Sequence, residues 1–422
     1  MSPASGCTIR VFDSLSRQVI PLPLSEDGGH PGGRTLKLYV CGVTPYDSGH
    51  MGHAFTFCAF DLLVRWAEAS GVRVRYVQNV TDVDDPLFER ARRDGVGWKE
   101  LADREVGRLL EDMRALGWRP PDVMPRVSAE IPAILAAVDR LVERGFAYQT
   151  DALYYAAGRY PDYGGLSHLS RRSMLRKLRD EGLLGEVGPG AKRDPLDFPL
   201  WRRSAPDEPS WPSRYGEGRP GWHIECSAMS MRYLGDQVDV HGGGRDLCFS
   251  HHESERAQSE SLTGCVPFSR AWMHTGMVRY RGHKMSKSLG NLVVVPEALA
   301  RVPAAALRLY LVAHRYRRDW SFRWEGLVGA ARLIAEAAEL LRRRGALDPG
   351  GRVRPFDAAK AGGRRGAPQE AAPDLVARFS AAMDDDLDTP RAVRALRAAV
   401  RRADAAGAGW MLRILCGEAA LT

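Results

Sequence analysis

The sequence contains no apolar run that approaches the roughly 18–20 residues of a membrane-spanning helix. Its first residues also lack the apolar core of a secretory signal peptide. The seven cysteines show no closely spaced pairs, which argues against a zinc finger or a disulfide framework. No internal repeat is evident. We therefore expect a cytoplasmic protein with reduced thiols and no membrane-bound part.

The bulk composition is that of an ordinary globular protein. A chain of 422 residues is long enough for two or three domains and a substantial core. It is 44% hydrophobic and 27% charged, which are average values. The net charge of +8 suits binding to nucleic acid or to an anionic substrate, and it equally suits an arginine-rich protein with solvated faces. Charge alone therefore leaves the function open.

The first structured region has the pattern of a strand–helix–strand unit. Thr35–Val43 is a short apolar strand, Ala54–Ala69 has helical periodicity, and Val72–Val77 is a second strand. Three such elements within about fifty residues predict a βαβ unit and hence a parallel sheet. Ligand sites in such sheets lie at the carboxyl ends of the strands.

The middle of the chain is predicted to be helical and then irregular. Trp98–Leu116 and Ala129–Phe146 both carry apolar residues at steps of three and four. Residues 150–220 are richer in glycine, proline and arginine. We interpret this stretch as an insertion between two halves of the sheet.

Strand character returns further along the chain and is followed by helices. Gln237–His241 and Ala271–Val278 are predicted strands, and helical periodicity resumes from Leu299. A segment rich in glycine, proline and arginine, about 344–373, is predicted to be a linker or mobile loop before a final helical stretch.

Two separated motifs indicate binding of a triphosphate. The run His50-Met51-Gly52-His53 lies where a helix should begin, and a helix start offers free N–H groups to an anion. The segment Lys284-Met285-Ser286-Lys287-Ser288 has two lysines at i and i+3, which can place two mobile positive charges on phosphates. The histidine run is weak alone and occurs by chance, and the alternative interpretation of the two motifs is a turn plus a solvated basic loop. Their occurrence in this order favours phosphate chemistry.

A third set of residues has the chemistry of a metal site. Cys41 ends the first strand, Cys226 lies far downstream, and His251 and Glu255 are four residues apart. On a helix that begins near His251, the last two side chains point to one side. Two thiolates, one imidazole and one carboxylate suit zinc. Spacing alone favours buried thiols and a histidine that caps a helix over a metal site.

Taken together, these motifs resemble the cysteinyl-tRNA synthetases and the related cysteine ligases of the mycothiol pathway, within the class I aminoacyl-tRNA synthetases. The resemblance runs from about residue 8 to residue 330, with a weaker similarity to the end. The segments that carry it are Cys41–Asp47, His50–His53, Asn79–Asp85, Gly221–Met229, His241–Asp246, His251–Glu255 and Lys284–Ser288.

The resemblance implies an α/β fold: a Rossmann-like class I synthetase catalytic domain with a parallel sheet and an insertion, followed by a C-terminal helical domain. The implied division is a first catalytic half at 1–125, an insertion at 126–217, a second catalytic half with the lysine loop at 218–320, and a helical domain at 321–422.

The resemblance also implies substrates and site residues. The substrates are L-cysteine and ATP, with magnesium accompanying ATP, and the intermediate is cysteinyl-AMP. Zinc is expected on Cys41, Cys226 and His251, with Glu255 as a less certain fourth ligand. The catalytic residues are His50, His53, Lys284 and Lys287. The nucleotide is expected at Gly244, Arg245, Asp246, Val278, Lys284, Met285, Ser286, Lys287 and Ser288. The cysteinyl part is expected at Cys41, Gly42, Val43, Thr44, Thr56, Asn79, Val80, Thr81 and Trp222.

The acceptor of the activated cysteine is the open question. Two features resemble the small-molecule ligases, which join cysteine to the amine of glucosaminyl-inositol. They are the short C-terminal part and the amino-acid sequences of Thr44–Asp47 and Asp84–Ala91. Glu255 and the segments Lys192–Phe198 and Ser227–Met229 resemble the tRNA synthetases. The amino-sugar is the leading expectation, and a cysteine–tRNA ligase with a reduced tRNA-binding region is the alternative.

Further alternatives concern catalysis and assembly. A non-catalytic paralogue that only binds cysteine, nucleotide or RNA would retain the fold, although the intact histidines, lysines and metal set argue against it. An amine acceptor has to arrive unprotonated, and Asp246 and His53 are candidates for the base by their place in the family pattern. A monomer is expected.

Overall fold

The computed structural model describes residues 9–26, 33–46, 49–185, 188, 190–285, 290–355 and 366–421. The first part of the chain forms the strands and helices β1 (Arg10–Asp13), β2 (Gln18–Pro21), β3 (Ser25–Glu26), β4 (Arg34–Val43), α1 (Met51–Ala69), β5 (Arg73–Val80), α2 (Asp85–Asp94), α3 (Trp98–Ala115) and α4 (Ile131–Glu143). The predicted strand–helix–strand unit is therefore present as β4, α1 and β5.

The region predicted as an insertion contains a small sheet. Its elements are β6 (Ala147–Gln149), β7 (Leu153–Tyr155), α5 (Arg171–Asp180), β8 (Phe198–Arg202) and β9 (Arg219–Pro220). The four strands pair antiparallel in the order β6-β7-β8-β9. Strands of two to five residues give too little alternation for a sequence pattern to reveal them.

The rest of the chain returns to the main sheet and then becomes helical. The elements are α6 (Trp222–Leu234), β10 (Val238–Gly244), α7 (Glu253–Thr263), β11 (Ser269–Thr275), β12 (Val278–Tyr280), β13 (His283–Lys284), α8 (Val295–Leu299), α9 (Ala304–Val312), β14 (Trp320–Phe322), α10 (Trp324–Arg343), α11 (Pro373–Asp384), α12 (Thr389–Arg401) and α13 (Ala405–Cys416).

One predicted strand is in fact two. Ala271–Val278 was expected to be continuous, but β11 ends at Thr275 and β12 begins at Val278. The break falls at Gly276, whose N–H donates to the carbonyl of Tyr316 at 2.7 Å. A Cβ atom at position 276 would lie 2.2 Å from the carbonyl oxygen of Arg318, so only glycine permits this close approach.

The main sheet is parallel, in the order β11-β10-β4-β5, with β3 antiparallel against the start of β4. The direction of strand addition reverses between β4 and β10. From β4 the chain continues to its neighbour β5 on one side of the sheet, and from β10 it continues to its neighbour β11 on the other side. The crevice at such a reversal, beyond the carboxyl ends of the strands, is where open α/β sheets bind ligands.

The strand β4 is buried on both faces, as a central parallel strand must be. Leu36, Leu38 and Val40 belong to the core that contains α1, whereas Tyr39 and Cys41 belong to the core that contains α6. Alternation along the strand thus sends the Cys41 thiol to the α6 side of the sheet.

The C-terminal helices share a core with α1. Residues of α9, α10, α11, α12 and α13 belong to the same buried cluster as the α1 side chains. The buried Arg308 guanidinium, on α9, pairs with Asp61 of α1 and donates to the carbonyls of Leu116 and Leu415. The four-part division of the chain remains a prediction. No helix in the described part of the chain is both long and apolar enough to cross a membrane.

We expect Asp61→Ala to destabilise the fold strongly. Both Asp61 and Arg308 side chains are fully buried, so the variant leaves a guanidinium in the core without its carboxylate. Removing one partner of a buried ion pair typically costs about 3–5 kcal/mol. Urea unfolding measures the loss. Glu339→Ala is the matched control because its ion pairs with Arg342 and Arg343 lie on the surface, and an equal loss in both variants would contradict the prediction.

Candidate active site and metal centre

A cleft of about 580 Å³ opens at the carboxyl edge of the main sheet. Its walls come from the ends of β4, β5 and β10, the first turns of α1 and α6, and the segment between β11 and β12. These elements meet where the chain order reverses, so the cleft occupies the position that the parallel sheet predicts. Among the described residues that line it are one carboxylate, Asp246, and no lysine or arginine.

Three side chains that line the cleft and a fourth buried beneath them form a cluster of metal-binding type. The candidate ligand atoms of Cys41, Cys226, His251 and Glu255 all lie within 4.8 Å of one another, and all four residues are buried. The His251 Nε2 atom is 3.1 Å from Glu255 Oε1, and Cys41 Sγ is 3.5 Å from the same oxygen. Zinc–ligand bonds of about 2.0–2.3 Å in a tetrahedron require donor separations of this order. The donor set therefore fits zinc.

Local structure explains how distant residues meet here. Cys41 arrives at the end of β4, and Cys226 lies on the first turns of α6 across that face of the sheet. His251 lies in a helical turn at Cys248–His252 that leads directly into α7. Its ring and the Glu255 carboxylate are one turn apart and face the same side, as their spacing predicted.

A second donor set overlaps the first. The side chains of Cys41, His241, His252 and Glu255 also bring one ligand atom each within 4.8 Å of one another. His241 and His252 are completely buried and do not line the cleft, whereas Cys226 and His251 do. The first set also has two thiols, which zinc prefers to additional imidazoles. The first set is thus the one that a ligand in the cleft would reach.

The cluster lacks positive charge of its own. Burial, together with Cys226 and Glu255, raises the pKa of Cys41 well above its usual value, and burial does the same to the pKa of Glu255. Burial next to His223 and His241 holds the pKa of His251 well below its usual value. Glu255 Oε2 is 3.2 Å from His241 Nε2 yet accepts no hydrogen bond. A buried cation would compensate for these unfavourable environments.

The histidine motif lies at the start of α1 as expected. His50 is the N-cap residue, and its Nδ1 accepts from the N–H of Gly52 at 3.0 Å. The ring of His53 stacks on that of His50 with centroids 4.1 Å apart. A Cβ atom at position 52 would lie 2.7 Å from the His50 ring, which explains the glycine between them. Burial lowers the pKa of His53 to about 4, so this ring is neutral in the ligand-free cleft.

A hydrogen-bonded wall joins the ends of β4 and β5. The Asn79 side chain accepts from the N–H of Gly42 at 2.9 Å and donates to Thr81 Oγ1 at 3.0 Å. A Cβ atom at Gly42 would lie 1.6 Å from the Asn79 carbonyl oxygen, so the two strands need glycine at this point. Across the cleft, the hydroxyls of Thr56 and Thr275 are 2.8 Å apart.

Two further residues shape the wall beside the metal cluster. The indole of Trp222 stacks on the His251 ring with centroids 4.3 Å apart. Thr44 donates its hydroxyl hydrogen to Asp84 Oδ2 at 3.1 Å, and Asp84 caps α2. Burial and the neighbouring Asp85 raise the pKa of Asp84 to about 6.

Ion pairs hold the wall of the cleft between the end of β10 and β12. Arg245 is 2.8 Å from Asp319, and Arg279 is 3.3 Å from the same carboxylate. The N–H of Met277 donates to Asp319 at 2.9 Å. Asp319 thus connects the end of β10 with β12, the strand that leads towards the lysine loop.

Most of the predicted site residues come together in this cleft. Those that line it are Cys41, Gly42, Val43, Thr44, His50, His53, Thr56, Asn79, Thr81, Trp222, Cys226, Gly244, Asp246, His251, Val278 and Met285. Val80, Arg245 and Glu255 are not among the lining residues. Ser286, Lys287 and Ser288 lie outside the described residues, as does the side chain of Lys284.

Sequence reasoning missed several residues of the site. His223, His241, His252 and His274 surround the metal cluster, with His252 Nε2 only 3.3 Å from Cys41 Sγ and His252 Nδ1 2.8 Å from His274 Nε2. Tyr46, Phe57, Leu247, Gly276, Met277 and Leu292 also line the cleft. The available signal was that His223, His241 and His252 lie inside the segments that carry the family resemblance.

Comparisons with known proteins agree with this geometry. Residues 30–332 match the model of the class I (C) tRNA synthetase catalytic domain. The chain is 49% identical over 322 residues to the L-cysteine:1D-myo-inositol 2-amino-2-deoxy-alpha-D-glucopyranoside ligase of Frankia casuarinae, which covers 76% of this chain and 67% of that relative. It is 43% identical over 411 residues to the cysteine–tRNA ligase of Anaeromyxobacter sp. (strain K), covering 94% of this chain and 78% of that relative.

The fold has a solved counterpart. The structure of Mycobacterium tuberculosis methionyl-tRNA synthetase in complex with methionyl-adenylate superimposes with a TM-score of 0.60, covering 90% of this chain and 89% of that one at 16% identity. The predicted α/β class I synthetase fold with a helical C-terminal region is confirmed. The chain belongs to the class I (C) tRNA synthetase family and is an ATP-dependent ligase.

Proposed function

We propose that this protein activates L-cysteine with ATP and transfers the cysteinyl group to the amine of glucosaminyl-inositol. The observation that carries the first half is the cluster of Cys41, Cys226, His251 and Glu255 at the floor of the cleft. Only cysteine among the common amino acids presents a thiol to such a cluster. A bound zinc ion would lower the pKa of that thiol and favour sulfur over the hydroxyl oxygen of serine.

The protein's own residues would orient the substrate. The Trp222 ring stacks on His251 and closes one side of the cysteine position. Asn79 and Thr81, which are hydrogen-bonded to each other, also line the cleft, and we assign them to the amino and carboxyl groups of the substrate. An apolar pocket would discriminate cysteine from serine by only about 1–3 kcal/mol of binding free energy. Coordination of the thiol would therefore provide selectivity that pocket size cannot.

Activation is attack of the cysteine carboxylate oxygen on the α-phosphorus of ATP, with pyrophosphate leaving. His50 and His53 stand at the start of α1, where backbone N–H groups and the helix dipole favour phosphate. Because burial keeps the pKa of His53 low, we propose that it acts as a neutral hydrogen-bond donor. We assign Lys284 and Lys287 to the departing pyrophosphate, where they would neutralise developing charge.

The choice of acceptor is supported by charge and by similarity. The described cleft lining offers the carboxylate of Asp246 and no lysine or arginine, and Asp84 lies behind Thr44. A carboxylate attracts an amino-sugar, which is cationic when protonated. The ligase of Frankia casuarinae carries an amino-sugar acceptor in its name.

A second candidate function is cysteine–tRNA ligation. Glu255 joins the metal cluster, as in the tRNA synthetase pattern, and the similarity to the Anaeromyxobacter cysteine–tRNA ligase covers 94% of the chain. In the insertion, Arg172, Arg176 and Arg179 on α5 would suit contact with a phosphate backbone.

We expect the protein to form an amide with glucosaminyl-inositol and to leave tRNA uncharged. The protein is incubated with ATP and labelled cysteine, with glucosaminyl-inositol in one reaction and total tRNA in another. Amide formation should rise from about pH 6 to about pH 8, because the attacking amine has to lose its proton. Charging of tRNA at a rate comparable to adenylate formation, without amide, would show that the second function is the correct one.

A further inference from the structure

A smaller chamber of about 140 Å³ adjoins the cleft. Trp222 lines both cavities. Asp84 lines the chamber, and its carboxylate accepts a hydrogen bond from Thr44, which lines the cleft. The two cavities therefore share a wall formed by the Trp222 ring and the Thr44–Asp84 pair. None of the predicted site residues other than Trp222 borders the chamber.

Polar atoms at the chamber are left without partners. The Ser250 hydroxyl is 5% exposed and makes no hydrogen bond, and Arg202 Nε is buried and also unpaired. Lys192 donates to the carbonyls of Pro195 and Asp197, which leaves one of its three N–H donors unused. Folded proteins rarely leave buried polar atoms unsatisfied, because each costs about 1–3 kcal/mol. These atoms are available to exchange hydrogen bonds with a hydroxylated ligand.

The chamber combines these polar groups with aromatic walls. Tyr163 and Phe198 lie with ring centroids 6.1 Å apart and nearly parallel, and Trp222 completes the apolar side. Asp84 and Asp85 supply acceptors. Burial raises the pKa of Asp85, but the ion pairs with Arg202 and Arg219 outweigh that effect and lower it overall, so this carboxylate is ionised. A hydroxyl-rich ring both donates and accepts, and its C–H faces pack on aromatic rings.

We propose that this chamber holds the hydroxyl-rich ring of the amino-sugar acceptor and directs its amine past the Thr44–Asp84 pair into the cleft. The inference rests on the proposed function and specifies where its second substrate binds. In the transfer step, the amine nitrogen forms a bond to the cysteinyl carbonyl carbon. The bond from that carbon to the phosphate oxygen breaks, AMP leaves with the electron pair, and the nitrogen releases its proton to water.

An RNA terminus fits this chamber less well. Asp84 and Asp85 line it alongside Lys192 and Arg202, so charge does not decide the matter, but a volume of about 140 Å³ has no room for the base, ribose and phosphate of a nucleotide together. The amine of an amino-sugar is attracted by the same carboxylates. The shared wall also places that amine next to Trp222, which covers the proposed cysteine position.

Acceptor kinetics of two variants test the assignment. Ser250→Ala should raise the KM for glucosaminyl-inositol about 3- to 10-fold, and Arg202→Gln about 10- to 100-fold, because the second hydrogen bond involves a charge. The KM for cysteine, measured by pyrophosphate exchange, should stay at its wild-type value in both variants. The matched controls are Ser259→Ala, another buried unpaired hydroxyl, and Arg203→Gln, an exposed neighbour, and neither side chain borders the chamber.

A measurement on the unaltered protein guards against misfolded variants. Free myo-inositol should inhibit amide formation competitively with the acceptor and leave pyrophosphate exchange unaffected. Amide formation with wild-type acceptor KM in both variants, and no inhibition by inositol, would overturn the chamber assignment while leaving the proposed function intact. Pyrophosphate exchange without any amide in the unaltered protein would instead overturn the proposed function, and the chamber assignment with it.

Discussion

Replacing Cys226 by serine is expected to remove the bound metal and to lower cysteine-dependent pyrophosphate exchange about a thousandfold, roughly 4 kcal/mol of transition-state stabilisation. Cys226 lies in the buried four-donor cluster and lines the cleft, so its loss affects metal binding and substrate binding together. His251→Ala is expected to have the same effect. Metal content, measured by mass spectrometry on the purified protein, gives a readout that does not depend on activity.

Two controls make this test specific. Cys265→Ser removes a thiol that belongs to neither donor set and should keep both metal and exchange. His252→Gln removes a member of the overlapping donor set and should retain the metal, because Cys226 and His251 are unchanged. Full zinc occupancy with normal exchange in both Cys226→Ser and His251→Ala would show that the assignment is wrong. Loss of metal in His252→Gln, with metal retained in Cys226→Ser and His251→Ala, would assign the metal to the second donor set of Cys41, His241, His252 and Glu255.

Lys287→Ala is expected to lower the turnover of adenylate formation by one to three orders of magnitude, about 1.4–4 kcal/mol. Met285, two residues earlier, is buried and lines the cleft together with His50 and His53, so the last described residue before the lysine loop borders the proposed phosphate position. A lysine that meets pyrophosphate as it departs stabilises the transition state more than bound ATP. Loop closure over the phosphates would provide such a contact.

Steady-state kinetics of pyrophosphate exchange distinguish stabilisation of the transition state from binding of ground-state ATP. A fall in turnover with little change in the KM for ATP is the expected pattern for Lys287→Ala, and Lys99→Ala on α3 is a control outside the cleft. A raised KM for ATP with unchanged turnover would mean that the lysine holds ground-state ATP instead.

The sequence predicted those parts of the site that depend on local pattern. The βαβ periodicity located β4, α1 and β5, and the spacing of His251 and Glu255 placed both side chains on one side of a helical segment. His50 was expected where a helix begins and is the N-cap of α1. Helix starts and i, i+4 pairs are set by near neighbours in sequence, so a single chain reveals them.

Contacts between distant segments could not be predicted in this way. The proximity of Cys41 and Cys226 depends on the α6 side of the sheet, and nothing in their separation of 185 positions indicates it. The histidines around the cluster were missed because only the packed structure shows that their buried rings contact one another and the cluster. The small sheet of the insertion was missed because its strands are too short to show alternation.

Because α1 and the C-terminal helices share one core, substrate binding at the cleft is expected to stabilise helices outside it. The helix that presents His50 and His53 at its start is joined through Asp61 and Arg308 to α9, and through the Leu415 carbonyl to α13. Free energy released by ATP and cysteine at the cleft thus also opposes local opening of α13, since a ligand stabilises whatever unfolds together with its site. Amide hydrogens in α13 should exchange more slowly when both substrates are bound, although no residue of that helix lines the cleft.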